Sequence, residues 1–341
     1  MNSQLHKQNG ISLIEILVAL ALSLIILAGV MHIFLNNKQT YRVQEAFARL
    51  QESGRFAMQF ITKDLRMAGY VGCGGKINSP NNIANYYPPP PAPNDNTADE
   101  VSMFTGSGIE GFEFSSLPIA LSDAISLTSA KVVAGSDIVR IKRAASTGAR
   151  LTGNMTADNA NIQLDGTTAL GLFADNDYIF ISDCEAADIF VANNVSASAG
   201  TITIAHSNAV NLDNKLSKAY QQDAEVYKFV NTTYYIGNNV AGEPALYRRT
   251  LLNAGDLSEE ELVEGVEDLQ LLYGEDTDND SAPNIYVDAS SVTDWNNVVA
   301  VRVELQVRSL EDNLAKSMTA YGDRKLRRTF TTSIAIRNRA I

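Results

Sequence analysis

Gly10-Ile11-Ser12-Leu13-Ile14-Glu15 opens an apolar run that lasts to Leu35 and is broken only by Ser12, Glu15, Ser23, Gly29 and His32. At about 25 residues the run exceeds the roughly 20 that a bilayer core requires, and it predicts a membrane-spanning helix half over 11–35. It is also longer than the ~7–15-residue apolar core of a secretory signal. Ala19-Leu20-Ala21 has the small-residue form of a signal-peptidase site, but apolar sequence continues well past it. Ahead of the run, residues 1–10 are polar, carry Lys7 as their one fixed positive charge, and read as a short leader.

Glu15 is the residue that a plain anchor does not need. An unpaired carboxylate costs about 2.5–3.5 kcal/mol at the centre of a membrane helix and less near an end. Snorkelling to the interface or capping the helix's own amides accounts for it without function. The alternative is a cation at membrane depth. Cleavage after Gly10 creates one, the new α-amino group of Ile11, which can pair with Glu15 of a neighbouring subunit.

The helical period continues beyond the apolar run. Phe47, Leu50, Gly54, Ala57, Ile61, Leu65 and Ala68 recur at steps of three and four and mark one face of an amphipathic helix half over 36–70. Lys38, Arg42, Glu45, Arg49, Glu52, Arg55, Lys63 and Asp64 occupy the rest, and Gly69 and Gly72 terminate it. A helix over 11–68 is about 85–90 Å long at ~1.5 Å per residue. A coiled-coil stalk is the competing reading, but the clear period lasts only about three heptads.

The bulk composition excludes several classes. The chain has 341 residues, of which 45% are hydrophobic and 19% charged, with a formal net charge of −12. An acidic balance argues against direct nucleic-acid binding, which needs Lys and Arg in excess. Of the three histidines, His6 lies in the leader and His32 in the apolar run, so only His206 is open to soluble chemistry. That rules out a multi-histidine zinc site in the soluble part, and a Ser-His-Asp triad would have to use His206. His206 closes Thr201-Ile-Thr-Ile-Ala-His206, a strand running into a turn, with no Gly-x-Ser-x-Gly elbow nearby; it reads as structural. No catalytic constellation is found.

Beyond Gly72 the chain is rich in Ala, Asn, Ser, Thr and Gly and reads as strands joined by turns over 71–341. Asn85-Tyr-Tyr-Pro-Pro-Pro-Pro-Ala-Pro93 is a surface loop of polyproline character. Strands are predicted at 137–142, 178–182, 201–205 and 226–236. The clearest are Val299, Val301, Val303, Leu305 and Val307, which alternate with polar or small residues, and Phe330, Thr332, Ile334 and Ile336. Each is a half-buried strand with one wet face. Asp276-Thr-Asp-Asn-Asp280 sets carboxylates at alternate positions of a turn, as calcium loops do, although Ser281 and Val287 replace the glycine and glutamate of a full loop. A solvated acidic turn is the other reading.

The residues 10–15 resemble the class III signal of type IV prepilins and type II secretion pseudopilins. Two further stretches are similar to the PilW family of minor pilins. One is Gly265-Val-Glu-Asp-Leu-Gln-Leu-Leu-Tyr-Gly274 with Asp294-Trp-Asn-Asn-Val-Val-Ala-Val-Arg302; the other is the ending Arg327-Arg-Thr-Phe-Thr-Thr-Ser-Ile-Ala-Ile-Arg-Asn338. The resemblance implies a pilin-like α+β fold, a long N-terminal helix on an antiparallel β-rich globular domain. It implies cleavage after Gly10 by a prepilin peptidase, methylation of Ile11 and a role for Glu15 in assembly; Ile11 and Ser12 stand where the family usually has Phe and Thr. It sets the leader in the cytoplasm, the helix in the inner membrane and the remainder in the periplasm. In that oxidising compartment Cys73 and Cys184, the only cysteines, are expected to form a disulfide. Some pseudopilins hold calcium in such an acidic loop, which lends weight to Asp276, Asp278 and Asp280 as ligands. Other minor pilins, the major pilin and a PilY-type tip protein are the implied partners. The implied role is priming and capping of a pilus serving motility, adhesion or DNA uptake. A type II secretion pseudopilin is the near alternative, and an anchored periplasmic enzyme the distant one.

Overall fold

The computed structural model describes residues 12–72, 80–84, 107–114, 132–169, 171–253 and 256–339. It opens with α1 (Leu13–Arg66), a 54-residue helix. The chain divides into two compact units, Met1–Arg49 with Glu311–Leu326, and Leu50–Leu310 with Arg327–Ile341.

In the first unit the helix exposes its apolar side chains, from Leu13 at 76% to Leu35 at 56%. A helix apolar all round is stable only where lipid or other helices cover it. The segment 311–326 touches its later turns, where Arg42 meets Glu311 at 3.1 Å and the Gln39 side-chain amide donates to the Asn313 carbonyl at 3.1 Å.

In the second unit the helix is amphipathic, as its period requires. Leu50, Ala57, Ile61, Leu65 and Ala68 are at most 2% exposed. Each large one contributes about 1.5–3 kcal/mol by burial. Phe47, predicted on the same face, is 40% exposed. The helix stops at Arg66, two residues short of the predicted end. Gly69 then takes φ +68°, open to glycine at little cost, and donates its N–H to the Lys142 carbonyl at 2.9 Å.

The strands follow in chain order: β1 (Asn81–Asn82), β2 (Ile109–Phe112), β3 (Ile138–Arg150), β4 (Ile162–Asp165), β5 (Tyr178–Ser182), β6 (Ala187–Val191), β7 (Asn194–Ser198), β8 (Thr201–Ala205), β9 (Glu225–Asn238), β10 (Pro244–Asn253), β11 (Asp256–Glu264), β12 (Val266–Glu275), β13 (Ile285–Val287), β14 (Val298–Arg308) and β15 (Arg327–Ala335). They form three sheets among the described residues. The largest has eight strands, with β9 at its centre: β5 and β10 pair along one edge of β9 and β3 along the other. The second runs β13-β12-β14-β15 and the third β4-β8-β7. Every pairing is antiparallel except β1 with β6.

The predicted strands 178–182 and 201–205 coincide with β5 and β8, and 226–236 lies within β9. In β14 the residues Val299, Val301, Val303, Leu305 and Val307 are buried while Arg302 and Glu304 face out. The described residues of the middle of the chain share their sheets and core with the rest of the second unit. β5 and β6 join the large sheet, and Ile162, Leu164, Ile179, Ile181, Phe190 and Ile204 share one core. The polyproline loop lies outside the described residues.

Candidate assembly and anchoring site

α1 begins where Ser12 accepts backbone hydrogen bonds from Glu15 at 3.0 Å and Ile16 at 3.2 Å. Glu15 therefore lies in the first helical turn, where the helix dipole favours an anion. Its side chain is exposed and makes no ion pair with any described residue. It is the one acidic group in a stretch that otherwise presents Leu, Ile, Val and Ala in every direction. Gly10 and Ile11, the predicted processing pair, lie outside the described residues.

The second half of the helix is held to the sheets by contacts that sequence reasoning missed. Asp64 lies outside the predicted apolar stripe, yet it is 7% exposed. Its carboxylate accepts from the Tyr234 hydroxyl at 2.7 Å and from Arg143 at 3.3 Å. Burial pushes the Tyr234 phenol well above its usual range, and the neighbouring Asp64 charge adds to the rise, so it stays a donor. The signal was present: Asp64 is three residues after Ile61 and four before Ala68, which sets it at the margin of the buried stripe. Gly54 has a different reason for its size. A Cβ there would meet the Phe330 ring at 2.1 Å, so the helix seats on β15 only with glycine at this point.

The chain end is clamped too. Arg337 donates its backbone N–H to the Arg66 carbonyl at 3.2 Å. Arg339, 8% exposed, reaches the Trp295 carbonyl and donates to the Ser107 hydroxyl at 2.8 Å. Burial lowers its pKa to about 10, with Asp294 opposing the fall, and it remains a cation at neutral pH. Trp295 packs edge-on against Tyr273, with ring centres 4.8 Å apart. Glu275 is fully buried, and its Oε1 accepts from the Thr293 N–H at 3.0 Å, the Thr293 hydroxyl at 2.7 Å and the Asp294 N–H at 3.1 Å.

The acidic turn follows Glu275. Asp276, Asp278 and Asp280 bring carboxylate oxygens within 4.8 Å of one another. The Asp276 oxygens already accept backbone N–H groups from Asp278, Asn279, Asp280 and Ser281, at 2.7–3.3 Å. Desolvation works to raise the Asp276 pKa, and these four donors outweigh it, holding the group below the usual carboxylate range. Ser281, where a full calcium loop has glycine, adopts φ +67°, the left-handed conformation that glycine would supply. Val287 belongs to β13, so the turn closes as a hairpin between β12 and β13.

Cys184 is exposed at a turn with φ +75°; Cys73 lies outside the described residues. His206 is 3% exposed, bonds the Ala160 carbonyl through Nε2 at 2.9 Å and packs on Phe190, which is a structural setting.

Comparison with known proteins bears on both ends of the chain. The family model described as Type IV Pilus-assembly protein W matches residues 233–338, from within β9 to just before Arg339. The prokaryotic N-terminal methylation motif matches residues 5–31. Pilin-like protein PilA3 of Thermus thermophilus is 37% identical over 62 residues, which are 18% of this chain and 27% of that protein. The chain thus spans about a quarter of the length of this curated relative. No solved structure matches it. The methylation motif at one end and the PilW match at the other flank an apolar helix that leads into a β-rich domain, and in these segments the chain is similar to type IV pilus pilins of the PilW kind.

Proposed function

We propose that this chain is a structural subunit, not an enzyme, that assembles with other minor pilins and the major pilin to prime and cap a type IV pilus. The output is pilus biogenesis, with twitching motility, adhesion or DNA uptake depending on it. The observation that carries the reading is the N-terminal half of α1, apolar and exposed along its length with a lone unpaired carboxylate in its first turn. Such a surface has two coverings in turn, the inner membrane before assembly and neighbouring pilin helices after it. A prepilin peptidase cuts after Gly10, and the α-ammonium of Ile11 then pairs with Glu15 of the adjacent subunit. The domain after the helix faces the periplasm and later sits at the fibre or its tip, against a PilY-type protein.

N-terminal mass analysis of the mature protein tests the first step and should give methylated Ile11; a start at Met1 or Leu22 would overturn the reading. Glu15→Ala tests the second. It removes an inter-subunit contact and makes the helix more apolar, so insertion and cleavage should survive while surface pili fall to few or none. Glu15→Asp, still an anion, should be milder. Wild-type piliation with Glu15→Ala would mean that Glu15 does not join this subunit to the fibre.

A further inference from the structure

The outer edge of the four-stranded sheet is a surface that the membrane helix and the acidic turn leave unused. β15 pairs with β14 alone. Beyond that ladder, the next backbone bonds come at Ile336 and Arg337, past the strand's end. From Arg328 onward, the far edge of β15 has no strand partner among the described residues and is a template for another strand.

Alongside this edge runs a groove of about 820 Å³, closed on its other side by the flank of α1. Half-buried Met58 and Phe330 contribute its apolar surface. Arg55, Lys63, Arg66, Arg328 and Arg337 surround them, all exposed, and none forms an ion pair with a described residue. Among the described residues, no acidic side chain lines the groove. Elsewhere the chain's cations are commonly matched: Arg248 with Glu260, Arg249 with Glu259, Arg308 and Arg327 with Glu267. Five unmatched cations together, on a chain of net charge −12, form a local positive field that repels itself and attracts carboxylates.

We propose that this groove docks an extended acidic segment of a partner protein, which joins the free edge of β15 as an added strand. Main-chain bonds to β15 supply affinity without sequence preference. Alternate side chains enter the groove, apolar ones over Met58 and Phe330 and carboxylates among the five cations. A second copy fits less well. This chain's own acidic edge strand, β11, already spends Glu259 and Glu260 on Arg249 and Arg248, both at 2.6 Å. The site is separate from the N-terminal anchor and does not depend on leader processing or on Glu15.

The test uses the full-length protein in a non-ionic detergent and a fluorescent, end-blocked peptide of repeating Glu-Ser-Val-Ser, about ten residues long, near the upper range of natural strands, whose Glu and Val side chains share one face. Anisotropy should show saturable binding at low salt that weakens as salt shortens the screening length from about 10 Å at 0.1 M toward about 3 Å at 1 M. Arg328→Glu with Arg337→Glu should weaken it about tenfold or more, and so should Arg55→Glu with Lys63→Glu on the helix side, a loss of roughly 1.4 kcal/mol. Arg302→Glu, on the outer face of β14, should change nothing. Unfolding midpoints followed by Trp295 fluorescence confirm that each variant is folded. A peptide with Pro at alternate positions, unable to form a ladder, should bind about tenfold more weakly. Absence of saturable binding, equal binding of the same peptide with Lys in place of Glu, or indifference to both pairs of charge reversals would overturn the proposal. Undiminished binding of the Pro peptide would overturn strand addition. Self-association in sedimentation that the reversals abolish would assign the groove to a second copy and overturn the partner.

Discussion

Asp64→Ala is the change that separates a helix merely lying on the sheets from one fastened to them. The carboxylate holds the Tyr234 hydroxyl at 2.7 Å and Arg143 at 3.3 Å. Without it, the hydroxyl proton of Tyr234, a residue with no exposed surface, keeps only a long 3.4 Å contact with the Phe60 carbonyl, because Arg248 beside it can only donate. Stranding a buried donor costs about 1–3 kcal/mol. Arg143 retains the Ala144 carbonyl at 3.2 Å and partial solvent access, so its share is smaller. A total near 3 kcal/mol follows, at the low end of the ~3–5 kcal/mol for breaking a buried pair. Tyr234→Phe should cost about 1.5–3 kcal/mol, as for a hydrogen bond to a charged group. The double variant should cost less than the sum of the two by about 1 kcal/mol or more, because both remove the same bond. Urea unfolding of the detergent-held chain, read by its single tryptophan, Trp295, measures all three. Exposed Glu52→Ala is the control and should stay within about 0.5 kcal/mol. If Asp64→Ala behaves like Glu52→Ala, or if the double-variant costs add, the fastening is not real.

The Cys73–Cys184 bridge remains a proposal; it would close a loop of about 110 residues and contribute roughly 4–5 kcal/mol by chain entropy. Non-reducing peptide mapping of periplasmically produced protein should find the two cysteine peptides joined, and full alkylation of both thiols without reductant would refute it. Calcium at Asp276, Asp278 and Asp280 also stands as a proposal, with the remaining oxygens of a six- to eight-fold shell to come from backbone and water. Millimolar calcium should then raise the urea midpoint through binding to the folded state alone. An equal response to magnesium would leave the turn to Asp276's own four hydrogen bonds.

What the sequence made legible was whatever has a period. The buried stripe of α1 and the alternation in β14 and β15 repeat over several turns or residues, so single exceptions such as Phe47 do not hide them. β5 and β8 were found because short runs of β-branched residues are bounded by turn formers. Pairing partners have no such signal. Nothing local says that β9 takes β5 and then β10 along one edge and β3 along the other, because the register lies in contacts between residues far apart in the chain. Buried charge was missed for a related reason. Asp64, Glu275 and Arg339 look like surface residues until their partners Tyr234, Thr293 and Ser107 are brought to them. The acidic turn was found as a turn, but its internal bonding to Asp276 could not be read from the spacing of carboxylates alone.

The charged residues outside the apolar stripe of the amphipathic half fall on two flanks of different character. At roughly 100° per residue, Asp64 falls about 40–60° to one side of the stripe formed by Leu50, Gly54, Ala57, Ile61 and Leu65. Arg55 and Arg66 fall on the other side, beyond Met58. The first flank meets the large sheet, where Tyr234 donates a hydrogen bond to Asp64 and Arg143 balances its charge. The second meets the edge strand β15, and there the cations stay unmatched. The two are coupled through helix rotation: the bond at Asp64 and the fit of Gly54 on Phe330 fix the angle at which Arg55 and Arg66 stand beside β15. Asp64→Ala should therefore loosen the groove as well as destabilise the domain. Losing Arg328 and Arg337, which form no ion pair with a described residue, should cost no more than the ~0.5–1 kcal/mol of the exposed stacking of Arg328 on Phe330. A surface kept unmatched at little benefit to its own fold is accounted for by what docks on it.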